Sequence, residues 1–562
     1  MTDYVPNPQE QDNSRKSRLA TELGGFNQIV AINQTAVNAA LAYAWKSQTI
    51  DWTVSITDPE TGEEFVDKKL SGKLLAPTVS FDSDTKGTFY ANFGKCELTY
   101  WQSYGSRSVE KKLPFPAASL AFDVKFSLEE INALPDDVKS KIQNLGDYTA
   151  HQLLIDFSET NLLAPNKAKS DLHDAAKDQP TRDDISEKIT SFMSKWIDKQ
   201  KKDKKNILGY AIAMTDTEKY PLPTLSATSV TRQAYAYYKN GQQTPVDKVP
   251  SEASILFLNM FKGVPFPQDT HGNVKMLDYT GNFVTPFEKS TAAGEPTMAG
   301  SISIQGPKFW KALEATIQEL SSQFWYYEKH FNCKYRAVDG SLILDYDIGM
   351  GNDNPNPAPP LTPNAPTSMK LQYRYEDSSE DLYGVHGSLG RAEGTLVTEG
   401  AQELWWTPGS SRIKVRGFTA FLVSYRKRVA ASWRGWNRYG IETDWQFYLA
   451  MGVDTDGRLY LKCEDFEYLG DKYTTEASFG YVKKSRADFK GFVDSRRVDM
   501  SLEKVNEELG RLGQFVFPAA GQYFMFDPKF SNKGDVLVGL TLKAPEGLEG
   551  PDEAEVTGAP AA

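Results

Sequence analysis

The sequence predicts an α+β protein of two similar halves, and three observations carry that prediction. Strict apolar/polar alternation recurs along the chain, as half-buried strands require. Helical spacing is confined to a few segments. One strand-then-helix unit occurs twice, 272 residues apart, as Ile32 and Ile304 show when they are aligned. At 562 residues the chain also exceeds the size at which a single core stops growing.

Residues 1–20 read as a flexible arm. In QIVAINQTAVNAALAYAWKS (28–47) the first residues read as a strand. Asn33 then caps a helix whose Val37, Ala40, Leu41 and Ala44 share one face. TIDWTVSI (49–56) places Ile50, Trp52, Val54 and Ile56 on one strand face, and SLAFDVKF (119–126) does the same with Leu120, Phe122, Val124 and Phe126. TRDDISEKITSFMSKWIDKQKKDKK (181–205) is helical, with a stripe of Ile185, Ile189, Phe192, Met193, Trp196 and Ile197. Thr181 stands at the cap position, and lysines gather at the C-terminal end. YAYYKNGQQTPV (234–245) is a hairpin turning at Asn240-Gly241.

The unit repeats in SISIQGPKFWKALEATI (301–317), which brings Phe309 onto Val37, Ala312 onto Ala40 and Leu313 onto Leu41. Pro307 lies in the first turn, where proline is tolerated. GMGNDNPNPAPPLTPNAP (349–366) reads as an exposed proline-rich loop. QFYLAMGVDTDGRLYLKC (446–463) is a hairpin turning at Asp456-Gly457. From Ala544 the tail is acidic and rich in Pro and Gly, a disordered composition. The expected organisation is therefore an arm (1–20), two halves (21–290 and 291–543) and a tail (544–562).

Composition excludes several classes. A net charge of −11 argues against the whole molecule condensing on DNA or RNA. Three cysteines far apart build neither a disulfide framework nor a zinc site, which suits a reducing compartment. The N-terminus has no apolar core of a secretory signal and no run of 18 apolar residues occurs. A cytoplasmic protein is expected, or one released without a signal peptide.

The chemical motifs are also absent. The first strand–helix junction has neither G-x-G-x-x-G nor G-x-x-x-x-G-K-[ST], and no G-x-S-x-G elbow exists. The five histidines never stand at i, i+4. Asp454, Asp456 and Gly457 lack the spacing of a calcium loop and are better read as the hairpin turn. Catalytic residues, metal and cofactors are thus expected to be none.

Several stretches resemble a known group: IVAIN followed by VNAAL (29–41), DYTAHQLLIDFS (147–158), NILGYAIAM with PTLSATSV (206–230) and FVFPAAGQYFMFDPKFSNKGDVLVGLTL (515–542). They are similar to tubular lipid-binding (TULIP) domains, and more particularly to the clostridial neurotoxin-cluster OrfX proteins and their forty-seven-kilodalton companion. The resemblance implies an elongated molecule in which each half wraps a long helix in a highly curved antiparallel sheet. It also implies lipids or other apolar ligands, or the accompaniment of protein toxins, and no enzyme activity. It carries over no site residue.

One segment stands apart and has no counterpart in that group. RIKVRGFTAFLVSYRKRVAASWRGWNR (412–438) holds eight basic residues and no acidic one. Arg412, Lys414 and Arg416 share a strand face. Arg426, Lys427, Arg428, Arg434 and Arg438 are interleaved with Trp433, Trp436 and Tyr439. The mixture suits an anionic membrane surface, a glycan or a single-stranded nucleic acid. It equally suits a solvated strand face balancing acidic neighbours. Two functions of different class follow: a non-enzymatic lipid- or membrane-binding protein, or an assembly protein with a filled core and protein partners.

Overall fold

The computed structural model describes residue 19 and residues 21–543 apart from 82–85, 105–106, 116, 135, 140–147, 157–164, 172–178, 205, 216–224, 236–237, 240–241, 244–252, 279–280, 285–297, 325–326, 339–340, 352–359, 386–387, 430–431, 434–436, 456, 476–501, 511–514 and 517–521. The acidic tail and nearly all of the N-terminal arm lie outside the described residues.

Antiparallel strands make up most of the described chain, which corrects the expected α+β class. Neither half is a long helix wrapped by a sheet. The helix after the first strand, α1 (Gln34–Ala44), has only 11 residues, about 16 Å of rise. It stops because Trp45 leaves helical geometry, at φ −119° and ψ 67°, and β-favouring QTIDWTVSIT follows at once. The longer helices are α2 (Gln179–Lys202) and α3 (Gly306–Phe324). Because α2 begins at Gln179, Thr181 lies inside it and is not its cap.

A six-stranded sheet joins the two ends of the chain. Its order is Ala227–Tyr235, Ser254–Phe261, Gln28–Asn33, Gly300–Ile304, Val536–Lys543 and Gln522–Phe530. The two opening strands lie side by side at its centre, antiparallel, with Val30 opposite Ile302. Those two residues are 272 apart, the same offset that aligns Ile32 with Ile304, so the pairing puts equivalent residues about an approximate two-fold axis. The flanking hydrogen bonds repeat the relation: Asn33 N donates to Ala299 O and Gln305 N to Asn27 O, both at 2.9 Å. Every residue of both strands is buried, including the polar Gln28, Asn33, Ser301 and Ser303.

Each half adds a larger antiparallel sheet. A nine-stranded sheet, eight of its strands from the first half, centres on Lys86–Tyr104, whose ends pair with Thr78–Phe81 and Arg107–Phe115. Its last strand, Phe515–Val516, is supplied by the far end of the chain and pairs with Ile207–Met214. Seven strands in the second half run through Ser368–Val385, Ser388–Trp406, Arg412–Val429, Asn437–Val453 and Leu459–Thr475. The proline-rich segment is not all loop: Thr362–Ala365 forms this sheet's exposed edge strand, held by Ser368–Lys370.

One continuous core spans both halves. It holds Val37, Ala40 and Leu41 of α1, Phe192, Met193 and Trp196 of α2, and Phe309, Trp310 and Leu313 of α3. In the first half Trp196 packs on Trp45 with ring centroids 5.3 Å apart, and on Trp52 and Phe89. In the second, Trp310 lies 4.9 Å from Trp406 and stacks on Phe530 at 5.8 Å.

Candidate functional site

Side chains two residues apart on a strand share a face. On the inner face of the seven-stranded sheet this gives rows running across three strands. Trp406, Ile413 and Leu449 form one row, and Leu404, Val415 and Phe447 the next, all buried. The following row is Gln402, Gly417 and Trp445. Gly417 is required there because the Trp445 indole occupies the space a Cβ would take. Beyond it the face turns polar without becoming exposed: Thr419 lies between Gly400 and Thr443, and Thr398 is its diagonal neighbour. Thr398, Gln402, Thr419 and Thr443 are all 0% exposed.

Thr443 donates its hydroxyl to Asp471 Oδ1 at 2.9 Å. Among the described residues the hydroxyls of Thr398 and Thr419 have no hydrogen-bond partner. Burying an unpaired hydroxyl costs about 1–3 kcal/mol, so two of them on neighbouring strands need an explanation. Diagonal positions on an antiparallel pair are about 7–8 Å apart, within reach of one small polar group set between them. The arrangement is a polar strip inside an apolar face, suited to hydrogen-bonding an oxygen while Leu396, Leu404, Val415 and Phe447 contact apolar parts.

Sequence reasoning missed this strip. The signal was present in GTLVTEGAQELWW (394–406), where Gly394, Leu396, Thr398, Gly400, Gln402, Leu404 and Trp406 alternate onto one face that is polar in the middle.

The basic segment forms most of the strand Arg412–Val429 and the start of Asn437–Val453. Arg412 reaches Glu464 at 3.1 Å and Asp465 at 2.5 Å and lies over the Tyr448 ring at 4.2 Å. Arg426 is half-buried and donates through Nε to Glu393 at 2.7 Å. Arg438 is exposed. Lys427, Arg428, Trp433 and Tyr439 lie on strands, but their side chains fall outside what is described, as do Arg434 and Trp436 altogether. The same outer face carries further cross-strand pairs, including Arg374 with Glu399 and Lys472 with Glu442 and Asp444.

Among the described residues no group of three or more His, Cys, Asp or Glu is placed to hold a metal ion. Among them, too, no helix is long and apolar enough to cross a membrane.

No family model matches the chain, and no curated protein matches it. A crystal structure of lipopolysaccharide binding protein is similar to it over 92% of this chain and 99% of that one, at 10% identity and a TM-score of 0.26.

Proposed function

We propose that the chain is a non-enzymatic binding protein for an amphiphilic ligand of lipid type, held on the inner face of the seven-stranded sheet. One observation carries this reading: the fully buried hydroxyls of Thr398 and Thr419, without a hydrogen-bond partner among the described residues and flanked by rows of Leu, Ile, Val, Phe and Trp. An apolar chain with an oxygen at its waist satisfies both parts of that surface. The basic strand does not carry the reading, because Arg412 and Arg426 are already engaged by carboxylates of the same sheet. A headgroup contact through Arg438 and its neighbours belongs to the same proposal as a secondary contact.

Native mass spectrometry of the purified protein tests it. An adduct of lipid mass is expected, and Thr398→Val with Thr419→Val should lower its occupancy severalfold while thermal stability holds or rises. An adduct unaffected by the double variant overturns the assignment to this strip, and absence of any adduct after incubation with lipid overturns the function.

A second reading, an assembly protein with a filled core, is favoured by the first half, where Trp45, Trp52, Phe89 and Trp196 fill the space beneath α2.

A further inference from the structure

Several strand edges in this fold are closed by specific groups. For Thr78–Phe81 the groups come from α1: Val79 N donates to Asn38 Oδ1 at 2.9 Å, Asn38 Nδ2 to Val79 O at 3.1 Å, and Phe81 N to Gln34 Oε1 at 2.8 Å. Asn506 does the same for Leu459–Thr475, bonding both the N–H and the C=O of Leu461. Gly409 and Ser410 bond both backbone groups of Phe530, in Gln522–Phe530. The strand Arg107–Phe115 is blunted instead, by Arg107, Glu110, Lys111, Lys112 and Pro114.

The strand Gln48–Thr57 ends the nine-stranded sheet and has none of these devices. Its ten residues, QTIDWTVSIT, contain no proline and one charge, Asp51, which is paired with Lys69 of the neighbouring strand at 3.0 Å. The irregularity in its ladder puts the extra residue, Asp67, on that neighbour, so its own run is unbroken. Among the described residues no hydrogen bond reaches its backbone from the side away from Glu64–Leu74. A regular row of free N–H and C=O groups is a template for one more strand.

An added strand must match two faces. One carries Ile50, Trp52, Val54 and Ile56, passing from buried at Ile50 to 44% exposed at Ile56. The other carries Thr49, Asp51, Thr53, Ser55 and Thr57. The strand matches itself when reversed about Thr53. In that antiparallel register Ile50 stands opposite Ile56 of the second copy, and Trp52 opposite Val54. On the other face Thr49 meets Thr57, Asp51 meets Ser55 and Thr53 meets its own equivalent, so no like charges are opposed. Beyond the strand ends, the exposed Lys46 comes toward the acidic turn of the second copy, where Asp58 and Glu60 lie.

We infer that Gln48–Thr57 is a dimer interface, pairing antiparallel with the same strand of a second copy of this chain about a two-fold axis at Thr53. The contact is isologous and closed, and it joins two nine-stranded sheets through the edge that each leaves open. Ile56, exposed in the single chain, is covered by it.

Sedimentation velocity of the full chain over a range of concentrations tests the inference, and a monomer–dimer equilibrium is expected. Thr53 is exposed, so Thr53→Lys and Thr53→Glu should both fold, which thermal melting checks. Each should raise the dissociation constant about tenfold or more, because two like charges then face each other across the axis. An equimolar mixture of the two variants should dimerise again, since Lys then faces Glu. A monomer at every concentration overturns the inference. So do dimers unchanged in both variants, or a mixture no more associated than either variant alone.

Discussion

The two helices that leave the central pair of strands begin in equivalent places and are capped in different ways. In α1 the cap is local: Asn33 Oδ1 accepts from Thr35 N at 2.7 Å, and Gln34 N donates to Ala253 O. In α3 the corresponding residue is Gln305, whose side chain instead accepts from Asn27 Nδ2 across the two-fold. Gly306 N donates to Asp535 Oδ1 at 2.7 Å, a carboxylate 229 residues further along the chain. Asp535 is buried, and its backbone N–H donates to Ser531 Oγ at 3.0 Å. A helix start thus needs an acceptor at the right point in space, and the chain supplies it from whichever segment packs there.

The largest effect should come from the aromatic packing beneath these helices. Trp310→Ala in the second half and Trp196→Ala in the first should each cost about 3–5 kcal/mol in denaturant unfolding. A cost below about 1 kcal/mol for either would show that its half is not held by that cluster.

The caps come next. Asp535→Ala strands a buried N–H and should cost about 1–3 kcal/mol, whereas Asn33→Ala should cost about 1 kcal/mol. Equal losses would mean that the borrowed cap contributes no more than the local one.

The smallest effect is a pH dependence confined to the start of α3. Burial pushes the Asp535 carboxyl above its ordinary value of 3.8, against the lowering effect of the Gly306 N–H. The folded state therefore binds this proton more tightly than the unfolded chain does. Its contribution is fully present below the unfolded value and is lost as pH rises through the folded one. Asp535→Asn keeps an acceptor and removes the titration. Wild-type stability relative to that variant should fall on raising the pH upward from about 4 and then level off. A flat difference across that window would remove the assignment, and the Asn33→Ala variant should show no such slope of its own.

Local features were legible in the sequence. Alternation located strands at 49–56 and 119–126, within Gln48–Thr57 and Ala118–Ile131, Asn33 was recognisable as a cap, and Gly457, with φ +76°, lies between two long strands, while Asp456 falls outside the described residues. The 272-residue offset was readable because buried strands and helix faces conserve apolar character at fixed spacing. What failed was reach. The Asp535 cap joins residues no local window contains, and the helix expected to run to residue 47 ends at Ala44 because its length is set by the sheet it meets. The cations of 412–438 were countable, but the partners of Arg412 and Arg426 sit on other strands, Glu393 on the neighbouring one and Glu464 and Asp465 on the next but one. The polar strip escaped because threonine has high strand propensity on either face, so Thr398 and Thr419 gave no sign that they were buried.

The strand Gln28–Asn33 is made early in synthesis, yet both of its neighbours are made late. Val30 is bonded beside Phe257 on one side and Ile302 on the other. At roughly 5–20 residues per second, a ribosome needs on the order of 15–50 seconds to supply the second neighbour. The thermodynamic charge for closing so long a loop is modest, about 0.6 kcal/mol per doubling of length. The kinetic exposure is larger, since QIVAIN keeps both edges open until Ser254–Phe261 is made and one edge open until Gly300–Ile304 follows. The nascent chain is therefore most vulnerable to mispairing at the segment that later becomes its centre, and the yield of folded protein should be set by how well that strand is shielded while it waits.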